Sequence, residues 1–106
     1  MSLPIVFRLE AQTEFDEAID WYEQQAELGL EFLDCVADSL TRIAAMPESY
    51  EMVYEDVRRA VVQRFPYSVF YQVEQQQIVV LAVFHSKRDP KIWQTRANNS
   101  FKPRIP

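Results

Sequence analysis

Hydrophobic residues recur at two spacings along this chain, and the change between them divides it near its middle. Ile5–Leu9 is a short apolar run with β-branched residues and reads as a first strand. From Ala11 the spacing becomes helical. Phe15, Ala18, Ile19, Tyr22 and Ala26 share one face, with Glu14, Asp16, Glu17, Asp20 and Glu23 around it. Thr13 and Asp16 form a capping-box-like pair near its start. Gly29, the single glycine, stands where this pattern ends, and a chain reversal there would use its backbone freedom. Leu33, Val36, Leu40 and Ile43 then mark a second helix, which must stop before Pro47. Two helices joined so closely predict an antiparallel hairpin.

Beyond Val57 the spacing falls to two. Val57, Arg59, Val61, Gln63 and Phe65 alternate with Arg58, Ala60, Val62 and Arg64. Pro66 interrupts the ladder, and Tyr67–Val73 resumes it. Glu74–Gln76 must turn the chain without a glycine, which is not the favoured hairpin chemistry. Ile78–Phe84 is apolar on both faces and predicts a central strand covered on both sides, or covered on one side by a partner. Asp89 and Pro90 suit an N-cap and first position for a final helical turn carrying Trp93. The order is β-α-α-β-β-β with a short C-terminal helix. It predicts an α+β fold in which a helical hairpin packs on a small, mostly antiparallel sheet, with the first strand beside the last. The expectation is one domain over residues 1–106, with a core at 5–96 and a frayed tail at 97–106.

Charge adds an asymmetry. Residues 1–56 hold 14 acidic and 2 basic side chains, a net −12; residues 57–106 hold 2 acidic and 9 basic, a net +7. Such a split suits either a basic face for an acidic partner or acidic helices lying against a basic sheet. The single cysteine, Cys35, permits no disulfide within the chain. The single histidine, His85, excludes multi-histidine metal sites, so no metal or cofactor is expected. No apolar run approaches the roughly 20 residues of a membrane span, and the start lacks a basic-then-apolar signal, so a cytoplasmic location without membrane contact is expected.

Several pieces then fall together. VRRAVVQRFPYSVFYQVE (Val57–Glu74), IVVLAVFHSKRDP (Ile78–Pro90) and Trp93, with AIDWYEQQ (Ala18–Gln25) and GLEFL (Gly29–Leu33) upstream, resemble the RelE/ParE superfamily of toxins over residues 5–96. The resemblance implies a toxin of a type II toxin–antitoxin pair, of the ParE-like or plasmid-stabilisation kind. Such a toxin arrests growth until a cognate antitoxin wraps a flexible segment around it, as a homodimer or a toxin–antitoxin heterotetramer. It also implies two targets: DNA gyrase, for ParE-like members, or ribosome-bound mRNA, for RelE-like members acting as metal-independent endoribonucleases. A degenerate member that only binds its antitoxin is a third possibility.

The residues weigh on that choice. RNA cleavage without metal needs a proton acceptor, a proton donor and cations for the phosphate. Here the candidates are His85, Arg64 and Arg88, aided by Arg59 and Lys87. Several nuclease members carry a catalytic tyrosine soon after the last strand; SKRDPKIW stands here instead. The pI near 4.8 also suits a protein target better than ribosomal RNA. Gyrase is therefore the expected target, and the expected surface for target or antitoxin is Arg58, Arg59, Arg64, Lys87, Arg88 and Trp93. Strict alternation would put Arg58 and Arg64 on one sheet face and Arg59 on the other. The carboxylates of the first helix read as its solvated side.

Overall fold

The computed structural model describes the backbone of residues 2–101 and the side chains of residues 2–97. Its elements are β1 (Ile5–Phe7), α1 (Leu9–Ala26), α2 (Gly29–Ala45), β2 (Met52–Tyr54), β3 (Val57–Val61), β4 (Tyr67–Glu74), β5 (Gln77–His85) and α3 (Lys91–Phe101). One five-stranded sheet runs β1-β5-β4-β3-β2. β1 lies parallel to β5, and the other neighbours are antiparallel. The α+β arrangement is the expected one, first strand beside last included. Among the described residues, no helix is long and apolar enough to cross a membrane.

β5 is central and covered on both faces. Ile78, Val80 and Val83 join Phe32, Val36 and Ile43 in the core under the helical hairpin. Val79, Leu81, Ala82 and Phe84 join Val57, Phe70, Trp93 and Ala97 in a second core under α3. The ladder slips between β4 and β5 and changes which residues serve each core. Phe70 pairs with Ala82 and Tyr71 with Val80, so Leu81 is an extra residue, and the side chains after it exchange faces.

Local details depart from the sequence reading at five points. α1 begins at Leu9, so Ile5–Leu9 is not all strand, and Thr13 lies inside the helix rather than capping it. The left-handed residue ending α1 is Glu27, at φ 57°, and Gly29 is already the first residue of α2. Gly29 is needed for close approach instead: a Cβ there would stand 2.9 Å from both Cβ and Oε1 of Glu23. The Glu23 carboxylate also accepts the Gly29 N–H at 3.1 Å, placing negative charge at the start of α2. β2 was not expected; three residues carry too little periodicity to reveal a strand. β3 ends at Val61, and the chain then turns through Arg64 at φ 73°. Last, α3 runs to Phe101 with Ala97 fully buried, so the final helix exceeds one turn. Residues 102–106 lie outside the described residues.

Candidate functional site

The chemistry-bearing residues gather around the C-terminal end of β5. Tyr67 pairs with His85 across the ladder, and the Ser86 amide donates to the Pro66 carbonyl at 2.8 Å, locking the strand end. The chain then turns over 86–89. His85 Nδ1 accepts the Lys87 N–H at 3.0 Å, and its carbonyl accepts the Arg88 N–H at 3.2 Å. Asp89 accepts the Lys91 N–H at 3.0 Å and caps α3, as its position before Pro90 led one to expect.

This geometry limits His85. With Nδ1 engaged by a backbone N–H, the neutral ring carries its proton on Nε2. Its one lone pair is then occupied in holding the turn, and the ring also packs edge-on against Tyr67, with centroids 5.1 Å apart.

Of the cations expected to surround it, Arg59 and Arg88 line one cleft with His85, whereas Arg58 and Arg64 stand apart. Arg58 points under the hairpin side and donates to the carbonyls of Glu48 (3.2 Å) and Tyr50 (2.6 Å), tying down the loop before β2. Arg64 does not share its face by alternation, because the strand has already ended; it sits in the turn and pairs with Glu31 at 3.3 Å, both ends exposed. Arg64 lines a cleft with Glu31, Asp34, Cys35 and Asp38, whereas His85 and Arg88 line two others. The trio proposed for nuclease chemistry therefore does not converge.

What does assemble is a carboxylate centre absent from the sequence reading. β1 accompanies β5 only through Val80, so the β5 edge beyond it has no neighbouring strand. Glu14 fills that gap. Its carboxylate accepts the Val83 N–H at 3.1 Å, pairs with Arg96 at 2.8 Å and with Arg88 at 3.1 Å. Arg96 in turn donates to the Leu81 carbonyl at 2.9 Å. Side chains of Glu14 and Arg96 are each only 12% exposed, so this pair seals a bare sheet edge and joins α1, β5 and α3. Arg88 also lies over the Phe84 ring, 4.3 Å from its centroid. The sequence did hold a signal for Glu14: Ala11, Glu14 and Ala18 recur at i, i+3 and i+7, on the buried side of α1.

Two clefts flank this centre. One, on the α3 side, has a volume of about 240 Å³ and is lined by Arg59, Ser68, Phe84, Ser86, Arg88 and Trp93 among others. Arg59 is exposed there, and Trp93 forms the floor, 4% exposed and stacked on Phe70 at 4.1 Å. The other, on the hairpin side, has about 330 Å³ and is lined by Glu14, Glu17, Trp21, Tyr22, Tyr67 and Arg88 among others. Burial raises the Tyr22 and Tyr67 phenols above their ordinary values, and the neighbouring Tyr22 adds to the rise at Tyr67, so both stay protonated. Among the described residues no three side chains could hold a metal ion together.

No curated protein matches this chain in sequence. Among solved structures, a chain of the chromosomal ParDE TA system from P. aeruginosa superposes with a TM-score of 0.70 at 15% identity, over 81% of this chain and 98% of that one. At that identity the likeness speaks to the fold, which the two chains share. The family described as ParE toxin of type II toxin-antitoxin system, parDE, matches residues 5–90, which include both helices of the hairpin and every strand. By that match over most of its length, the chain belongs to the ParE toxin family.

Proposed function

We propose that this toxin halts growth by binding DNA gyrase in the cytoplasm, and that a cognate antitoxin neutralises it. The observation carrying the choice of target is that Arg58 and Arg64 stand apart from the cleft that His85 shares with Arg59 and Arg88. His85 Nδ1 is engaged by the turn, Arg64 is paired with Glu31 in a separate cleft, and Arg58 is engaged by backbone carbonyls. Gyrase inhibition asks for a binding surface and no proton-transfer set. The surface that fits is the α3-side cleft and its rim, where Arg59 and Lys87 stand exposed beside Arg88 and the Trp93 floor.

The test is a supercoiling assay with purified gyrase. The reading expects inhibition by the parent chain and about tenfold weaker inhibition by Arg59→Glu with unchanged melting, in line with loss of a contact of roughly 1.4 kcal/mol. Untouched gyrase, with codon-positioned mRNA cuts in translating ribosomes, would overturn it.

A further inference from the structure

Folding offsets part of the expected charge split within the chain. Of the second half's cations, Arg58, Arg64, Arg88 and Arg96 have partners within the chain. The acidic half keeps its field. α1 carries six acidic residues and no basic one, and across both helices of the hairpin the only cation is Arg42, paired with Asp38. Glu10, Glu14, Glu17 and Trp21 follow one another at i, i+4, i+7 and i+11, one stripe along α1. Glu14 is engaged by Arg88 and Arg96, whereas Glu17 is exposed.

The stripe borders the 330 Å³ cleft, whose walls are Trp21, Tyr22, Tyr67 and Val83. Trp21 is 56% exposed, a large apolar surface held in place by edge-on contact with Tyr22 at 5.1 Å. An aromatic-walled cleft under a carboxylate stripe suits a side chain with an aliphatic stem and a cationic head.

We propose that this hairpin-side cleft seats a basic, amphipathic segment of the antitoxin. An arginine or lysine stem lies against Trp21 and Tyr22, its head meets Glu17, and further basic residues follow the acidic α1. The proposal rests on the antitoxin reading above and adds the place and the chemistry. Since Arg88 lines both clefts, a segment seated here touches a residue that also borders the proposed gyrase surface.

The experiment is an NMR titration of the full chain with a synthetic amphipathic helical peptide of leucine and lysine, and with its counterpart carrying glutamate for lysine. The lysine peptide should shift the Trp21 indole and the Glu17 and Tyr22 resonances. Its affinity should fall about tenfold in Trp21→Ala and in Glu17→Lys, and should weaken with added salt. The glutamate peptide should leave those resonances in place. Both substitutions are at exposed positions, and an unchanged melting temperature verifies the fold. Equal binding of both peptides, binding of neither, or shifts confined to the Arg59 and Trp93 side would overturn the proposal. Shifts at Trp21 on concentrating the chain alone would assign the cleft to a second copy and also overturn it. Lysine-peptide shifts at Trp21 in a chain that fails to arrest growth would support the cleft and strike the antitoxin reading instead.

Discussion

At the scale of the residue, Glu14 ties α1 to β5, to α3 and to the turn between them. Removing its charge by Glu14→Gln leaves Arg96 largely buried beside a neutral amide and weakens the acceptor for the Val83 N–H. Breaking a buried pair from one side costs about 3 kcal/mol, and chemical denaturation of Glu14→Gln against the parent should show a loss of that order. A second carboxylate acts in the opposite sense. Burial first, and then the charge of Asp56, raise the Glu74 pKa above its ordinary value, while Arg8 pulls it down. One Glu74 oxygen and the Oε1 of fully buried Gln72 lack hydrogen-bond partners. A carboxyl with a raised folded pKa contributes fully below its unfolded value and loses that contribution as pH rises through the folded one. Glu74→Gln should therefore melt above the parent at pH 7, by roughly 1–3 °C, with the gap closing near pH 4. Melts of both chains at the two pH values decide this; a lower melting temperature for the variant at pH 7 would refute it. Tyr71 is neutral throughout this range, because burial pushes its phenol up to about 12 while its hydroxyl donates to the Pro47 carbonyl at 2.6 Å.

At the scale of the element, periodicity made some parts readable and left others dark. α1 and α2 were legible because their apolar stripes face a core for more than four turns. β5 was legible because an apolar run on both faces has to be covered twice. The bulge at Leu81 was not, since an uninterrupted apolar run looks alike in either register. The end of β3 at Val61 was hidden because Arg58 to Phe65 alternates regardless of whether the backbone continues. That slip placed Arg64 on a face it does not occupy, and with it a third of the nuclease trio. Glu14 was hidden because its role needs β5 and α3, which are distant in sequence. The β4–β5 turn shows how a local rule can be broken. Gln75 and Gln76 both have positive φ, at 51° and 64°, where asparagine and glycine are favoured. Replacing the pair with Asn-Gly should stabilise the chain by about 1 kcal/mol; a denaturation midpoint equal to or below the parent's would contradict that. α3 covers the opposite sheet face through Trp93, and Trp93→Ala should cost about 3–5 kcal/mol, read in the same experiment.

At the scale of the whole molecule, the sheet separates two cores and two clefts, and the charges sort with them. Four basic side chains of the second half pair with carboxylates or carbonyls of the chain, while the helical hairpin keeps an acidic exterior. The molecule thus offers one basic rim on the α3 side and one acidic, aromatic-walled cleft on the hairpin side, joined at Arg88. The proposed reading assigns the basic rim to the target and the acidic cleft to the antitoxin. The most direct measurement is growth of a bacterium on induction of this chain alone and together with the product of the neighbouring reading frame. Arrest by the chain alone and recovery on co-expression are the expected result. Unimpaired growth, with the chain confirmed soluble and folded in the same cells, would contradict the account.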